Sequence, residues 1–317
     1  MNGGSVWAEP DRYDVVGVGV PYLDIVVGVD EYPGTNRSAP IGEFTISGGG
    51  KVPTALVAAA RLGLSTALVA GIADDAFGAM IRTELEREGV SLKHAVPAEH
   101  SAVSVIVSER KTASRTILYG ESAVPPVDVF RDRRLSARLL HISSFGEAER
   151  EAVEWAHREG VPIMLDADYY DPAFAEHARD VRLFIGSEHF FRGWNANMAL
   201  SEKLEYLYAQ GPDVVIATLG EAGCMVLDER GLFPVPPFEI KVVDTTGAGD
   251  VFHGAYIYAY LQNWDYRDCA VFASAAAALK CTKPGGRRGI PDGEEVRAFL
   301  AQNGIDPNQF GKRGSTA

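Results

Sequence analysis

Residues 242–255 read Val-Val-Asp-Thr-Thr-Gly-Ala-Gly-Asp-Val-Phe-His-Gly-Ala, and the reading of the whole chain turns on them. A β-rich run ends at Val243, small residues follow, and an apolar helix is expected from about Ala248. The glycines let the backbone N–H groups of Gly247, Ala248 and Gly249 converge on one spot. That spot is a helix N-terminus, where unsatisfied amides and peptide dipoles favour an anion. Asp250 falls in the first helical turn beside it. An amide cradle and a neighbouring carboxylate suit phosphoryl transfer. The amides would stabilise charge on the transferring group, and the carboxylate would take the proton of the attacking hydroxyl. The four residues GAGD alone equally fit a tight turn in which Asp250 only complements the helix dipole.

Outward from this stretch, short β-rich runs alternate with helical ones. Strands are expected at 13–20, 66–70, 139–142, 162–165, 181–185, 214–218, 224–227 and 232–235. Helices are expected at 52–62, 75–88, 147–158, 198–210, 248–261, 266–279 and 293–300. This order predicts an α/β fold whose central, mostly parallel sheet is covered by helices on both faces. Four runs, near 24–29, 43–46, 103–107 and 115–119, lack crossover helices among themselves. They predict a small separate sheet projecting from the main one, with the last two joined as a hairpin through a polar turn. One domain is expected over 14–303, with flexible tails at 1–11 and 304–317.

The 317 residues carry a net charge of −13, from 30 Lys and Arg against 43 Asp and Glu. That balance argues against nucleic acid as a partner, because such affinity rests on cations neutralising phosphates. No apolar run reaches the ~18 residues of a membrane span, and residues 1–11 lack the basic and apolar segments of a signal peptide. Cys224, Cys269 and Cys281 have no CxxC spacing, so no zinc ribbon or disulfide framework is expected. Reduced thiols fit a cytoplasmic protein. Other phosphate motifs fail. Gly50-Lys51 is followed by Val52 rather than Ser or Thr, and GxGxxG breaks at Phe252 and at Tyr22.

The run Asp244 to Phe252 matches the D-T-x-G-A-G-D-x-F signature of the ribokinase-like (PfkB) family of carbohydrate kinases, and the chain resembles that family along most of its length. Gly48-Gly49-Gly50-Lys51 followed by Ala55 to Gly63 resembles its N-terminal signature. Gly71 to Gly78 is similar to its G-x-D-x-x-G segment, and Thr218 to Gly223 to its T-L-G-x-x-G turn. The resemblance implies transfer of the γ-phosphoryl of ATP, with Mg²⁺, to a sugar-type hydroxyl. It also implies a ribokinase-like fold in which a small β-sheet lid covers the sugar. Apolar positions at 103–107 and 115–119 would otherwise leave an exposed sheet face, so a homodimer through the lid is expected. By position, Asp250 matches the catalytic base, and Gly247, Ala248 and Gly249 the anion hole. Asp24 matches the Asp that accepts sugar hydroxyls, and Gly49, Gly50 and Lys51 the sugar turn. Ser187, Thr218, Gly220, Gly223 and Gly285 fall on the nucleotide side. Asp244 and Thr246 match positions that hold a monovalent cation, K⁺, in some members.

The chain departs from the family in three places. Thr54 stands where a sugar-binding Asn is usual. The N-x-x-E motif that organises Mg²⁺ would run from Ser187 to Phe190, so its Glu is absent, and Glu188 would point elsewhere. Lys280 replaces a small residue near the cation loop. Residues 242–255 and 276–291 are similar to the sulfofructose kinase branch, but they line the nucleotide side, and their bearing on the acceptor is small. Lys51 is read either as a contact for an anionic acceptor or as a cap of its loop. His253 is read as a packing or hydrogen-bonding residue, and Arg287 and Arg288 as solvated charges. His141 and Asp166, at strand ends, are candidates for ligand contact. Two alternatives stand beside the sugar kinase: a nucleoside kinase, for which Tyr22, Phe44 and Tyr119 are stacking candidates, and a sugar-sensing protein without turnover.

Overall fold

The apolar runs become buried strands in a computed structural model of the chain, which describes residues 11–112, 114–120, 122–131 and 135–311. The chain opens with β1 (Asp11–Val18), then β2 (Tyr22–Val29), β3 (Glu43–Gly49) and α1 (Lys51–Arg61). Next come β4 (Thr66–Val69), β5 (Gly71–Ala73), α2 (Ala76–Arg87), β6 (Val90–Ser91) and β7 (Val96–Ala98). The hairpin β8 (Ala102–Glu109) and β9 (Ser114–Tyr119) follows. The second half runs β10 (Leu135–Ile142), α3 (Glu147–Glu159), β11 (Ile163–Ala167), α4 (Pro172–Glu176), β12 (Leu183–Ser187), α5 (Glu188–Gly193), α6 (Leu200–Tyr208) and β13 (Val214–Thr218). It closes with β14 (Cys224–Asp228), β15 (Gly231–Val235), α7 (Ala248–Leu261), α8 (Tyr266–Cys281) and α9 (Gly293–Gln302).

Nine strands form the main sheet in the order β15-β14-β13-β12-β11-β10-β1-β4-β6. All pairs are parallel except those of β14 and β15, at one edge. Side chains alternate between two cores, as a sheet buried on both faces requires. Val15, Leu183, Ile185, Val214 and Ile216 enter one, packed by α1, α7 and α8. Val16, Val18, Phe184, Val215 and Ala217 enter the other, packed by α3 and α6. Gly254 explains how closely α7 lies on the alanine-rich α1: a Cβ there would come within 2.3 Å of the Ala55 carbonyl oxygen. The strand order reverses between β1 and β10, and a crevice at the carboxyl ends of the strands follows from that reversal.

A second sheet has the order β3-β2-β8-β9 and stands over this crevice. It contains the four strands expected as a lid, and β8 and β9 pair antiparallel as the expected hairpin. Its register sets two faces. Tyr22, Asp24, Ser104, Arg115 and Tyr119 share one, while Phe44, Ile46, Val105 and Leu118 share the other.

Several elements were not expected: the β5–β7 pair, β6, α4 and α5. Each is six residues or shorter, too short for periodicity to register. The run up to Val243 is not a strand. Val242 and Val243 are exposed, and the N–H groups of Val243 and Asp244 donate to the Cys281 carbonyl at 2.8 and 3.1 Å. Part of the expected C-terminal tail is packed. The ring of Phe310 is buried 5.1 Å from that of Trp264, and the Gly311 N–H donates to Asp268 at 3.1 Å. Of the expected N-terminal tail only Asp11 is described, and it opens β1. No helix among the described residues is long and apolar enough to cross a membrane.

Candidate active site

Asp244 organises the glycine turn from within. Its carboxylate accepts the N–H of Thr246 and the N–H of Gly285, both at 2.8 Å, while the buried Lys280 ammonium donates to its carbonyl oxygen at 2.8 Å. These amide bonds hold the Asp244 pKa below the usual carboxylate range despite the opposing effect of burial. Gly285, expected to meet the nucleotide, therefore uses its amide inside the turn. Gly247 takes the left-handed conformation, φ 75°, and starts α7. The Ala248 N–H is engaged with the Thr245 carbonyl at 3.1 Å, so it does not join the anion hole as expected. Among the described residues, the N–H groups of Gly247, Gly249 and Asp250 have no partner.

Asp250 lies where these free amides end. Burial first, then the negative charges of Asp166 and Asp168, push its pKa well above the carboxylate range, against the pull of Lys51 and Arg287. Asp166 is buried at the end of β11, 3.6 Å from the His253 ring. His253 Nδ1 lies 2.8 Å from the Gly249 carbonyl oxygen, so the ring braces α7 and does not face the cleft. His141 is not a ligand contact. It is fully buried, stacked 5.7 Å from His253, and burial drives its pKa down to about 3.

Across the crevice, Asp24 projects from β2 and accepts a hydrogen bond from Ser104 at 2.6 Å. Burial raises its pKa, partly offset by that bond and by Arg287. Gly49 is required beside it, since a Cβ would fall 2.1 Å from the carboxylate. Gly50, at φ 93°, turns the chain into α1 within 2.4 Å of where its Cβ would meet the Val20 carbonyl. Lys51 then pairs with Asp168 at 3.2 Å and lies 5.7 Å over the Tyr169 ring. It is neither a loop cap nor an unpaired cation. Burial lowers its pKa, but Asp166, Asp168 and Asp250 outweigh this and raise it.

Arg287 corrects the sequence reading most. It is buried, 3% exposed, not solvated. It donates to the Gly49 carbonyl at 2.6 Å and to Thr54 Oγ1 at 3.1 Å, and it lies 3.5 Å from Glu84. Glu84 in turn accepts the Gly48 N–H at 2.6 Å. The Thr54 hydroxyl, carried over as an acceptor contact, is thus occupied by an arginine. No local signal marks this pairing, because its partners are 233 residues apart.

On the other side, Ser187 and Thr218 lie opposite each other at the ends of β12 and β13. Ser187 caps α5, accepting the N–H groups of His189 and Phe190 at 3.1 and 3.2 Å, and donates to the Asp168 carbonyl. Thr218 donates to the Gly186 carbonyl at 3.4 Å. Gly220 and Gly223 have φ of 57° and 83°, which open the turn after β13. Phe190 is fully buried and Glu188 pairs with Arg192, so neither supplies the missing metal-organising carboxylate. Among the described residues no group of three or more His, Cys, Asp or Glu is arranged to hold a metal ion. A separate concavity of about 690 Å³, lined by Arg138, Arg230, Tyr260 and Tyr266, contains none of these residues.

Comparison with known proteins shows the family and the fold. The pfkB family carbohydrate kinase profile matches residues 22–307. The nucleoside kinase of Methanothermobacter thermautotrophicus is 28% identical over 309 residues, covering 93% of this chain and 98% of the relative. The ribokinase of Bacillus subtilis is 26% identical over 296 residues, covering 90% and 98%. The solved structure of Arabidopsis thaliana ribokinase complexed with ribose and ATP superposes with a TM-score of 0.78 at 22% identity, covering 92% of this chain and 99% of that one. With its glycine turn, lid and doubly covered sheet, the chain belongs to the pfkB family of carbohydrate kinases, ATP-dependent phosphotransferases of sugar-like substrates.

Proposed function

We propose that the protein transfers the γ-phosphoryl group of ATP to a hydroxyl of a small sugar held between Asp24 and Asp250. The observation that carries this reading is Asp250 itself, a carboxylate with a raised pKa beside three unpartnered amides at a helix N-terminus. A base is most effective when its pKa approaches the working pH. Asp250 takes the proton of the acceptor hydroxyl as its oxygen attacks the γ-phosphorus. The Gly247 and Gly249 N–H groups face the charge that develops on the phosphoryl oxygens. Asp24 accepts acceptor hydroxyls in charge-assisted hydrogen bonds, oriented by Ser104.

Mg²⁺ suits Asp166 and Asp168, whose oxygens are the hard donors this ion takes. Asp166 makes no hydrogen bond among the described residues. Bound there with the nucleotide, Mg²⁺ would neutralise phosphate charge; among the described residues no third acidic or imidazole group is arranged with these two to hold a metal, which supports phosphates and water as its remaining ligands. K⁺ at Asp244 and Thr246 is a weaker reading. The Lys280 ammonium already supplies positive charge to this turn, which supports turnover without K⁺. Lys51 and Arg287 are each paired with a carboxylate, which supports an uncharged acceptor over a sulfonated one.

A nucleoside acceptor is the second reading. Tyr22 and Tyr119 lie on the lid face that carries Asp24, where a base would stack, whereas Phe44 is on the opposite face. The M. thermautotrophicus relative is named a nucleoside kinase. A coupled ADP-release screen tests both, using pentoses, hexoses, a sulfosugar, sugar acids and nucleosides, in K⁺ and in choline buffers. Acceptor-dependent ADP release with a neutral sugar, equal in both buffers, is the expected result. Preference for nucleosides selects the second reading. Absence of ADP release with every acceptor leaves the sugar-sensing alternative.

A further inference from the structure

We propose that Arg115 is a catalytic arginine carried by the lid, meeting the γ-phosphoryl oxygens of ATP at the glycine turn during transfer. The inference rests on the kinase reading above. The register of the lid is the first observation. Arg115 pairs with Ser108, Tyr119 with Ser104, and Ser104 with Asp24, so Arg115 projects from the face that presents Asp24 to the crevice. It stands four residues farther along the strand, about 13 Å at ~3.3 Å per residue. There the guanidinium leaves its own sheet and donates to Thr246 Oγ1 of the glycine turn at 3.4 Å.

The second observation is what the guanidinium lacks. Four other cations of the lid and crevice are paired with carboxylates: Arg110 with Asp30 and Glu43, Lys111 with Glu31, Lys51 with Asp168 and Arg287 with Glu84. Arg115 makes no ion pair among the described residues and is exposed, in a chain with a net charge of −13. Its contact with a neutral hydroxyl uses one of five N–H donors. The remaining donors form the planar fork that matches phosphate oxygens. The positive charge is felt behind the turn as well, where burial first and Arg115 among the lesser causes lower the Lys280 pKa.

In the step itself, the acceptor oxygen forms a bond to the γ-phosphorus as the bond to the β,γ-bridging oxygen breaks. The electron pair of that bond leaves on ADP, and the acceptor proton passes to Asp250. Charge is spread over the phosphoryl oxygens meanwhile. The Gly247 and Gly249 amides meet it from the core, and Arg115 meets it from the lid. An arginine in this role stabilises charge that exists mainly in the transition state, so its removal lowers kcat more than it raises KM.

The experiment compares wild type, Arg115→Ala and Arg115→Lys by coupled ADP release, with a neutral and an anionic acceptor. Melting temperature is measured for each. Arg115→Ala should lower kcat at least about 100-fold with every acceptor, below the range of known arginine fingers but far above a lost surface contact. KM for ATP and acceptor should change by less than about fivefold and the melting temperature should not move, and added guanidinium should restore part of kcat. Arg115→Lys should be intermediate. A variant keeping more than a tenth of wild-type kcat overturns the inference. So does a loss confined to anionic acceptors, which would assign Arg115 to the acceptor, or one appearing only in KM, which would make it a latch. Wild-type protein with no acceptor-dependent turnover would overturn the kinase reading and this inference together.

Discussion

Asp250, the proposed base, is held in surroundings that disfavour its charge. Burial and the charges of Asp166 and Asp168 disfavour its ionised form, and the native state therefore binds its proton more tightly than the unfolded chain does. Stability associated with Asp250 is greatest below the unfolded pKa, about 3.9, and is lost as pH rises through the raised native value. Asp250→Asn should thus lower kcat by roughly 10²–10⁴-fold and yet melt higher than wild type at neutral pH, the gap closing below about pH 4. Calorimetry across pH checks the sign, and an equal or lower melting temperature at pH 7 would reject it. Lys51 acts on the same group from the other side. Its charge favours ionised Asp250 while its ammonium is spent on Asp168. Lys51→Met should move the acid limb of the kcat profile to higher pH and weaken neutral and anionic acceptors alike. A tenfold greater loss for an anionic acceptor would restore Lys51 as its ligand.

The segment between α8 and α9 joins the two halves of the site. Gly285 anchors it to Asp244 of the glycine turn, and Arg287 anchors it to Gly49 of the acceptor turn. Its central contact is a buried guanidinium facing Glu84, whose second oxygen holds Gly48. Removing one partner of such a pair strands the other without compensation. Arg287→Met should therefore cost about 3–5 kcal/mol in denaturant unfolding, and Glu84→Gln in the same chain should return part of it. The survivors of Arg287→Met should show a raised acceptor KM with little change in KM for ATP, because Gly49 and Thr54 line only the acceptor side. Additive losses in the double variant would show that the two groups are not coupled.

At the scale of the whole molecule, the lid has one face turned to the crevice and one to solvent. Phe44 is 60% exposed, Leu118 55% and Ile46 37%, all on the outer face, which also carries the half-buried Val103, Val105 and Val107. We propose that this apolar sheet face is covered by the lid of a second copy of the chain. Wild-type protein should sediment as a dimer at micromolar concentration. Phe44→Glu with Leu118→Glu should sediment as a monomer with an unchanged melting profile of the main domain. A monomeric wild type would remove the dimer reading.

The division between what was legible and what was not follows sequence distance. The alternation of β-rich and helical runs, the start of α7 at Ala248, the lid strands and the juxtaposition of Asp250 with a glycine turn are local patterns. They arise from side-chain periodicity and from the backbone freedom of glycine, both set by neighbours a few residues away. Asp24 and Gly49 were legible as motif positions, although the 2.1 Å clearance that makes Gly49 necessary belongs to the folded pair. Charge pairing was not legible. Arg287 was read as solvated, and Lys51 as an anion ligand or a cap, because a cation's environment depends on which carboxylate the fold brings to it. Arg287 meets Glu84 across 203 residues, and Arg115 meets Thr246 across 131. The sequence by itself determined the architecture and the candidate reacting groups. Only the tertiary structure decided which ammonium and guanidinium groups were neutralised, which amides stayed free, and hence where charge is available to the reaction.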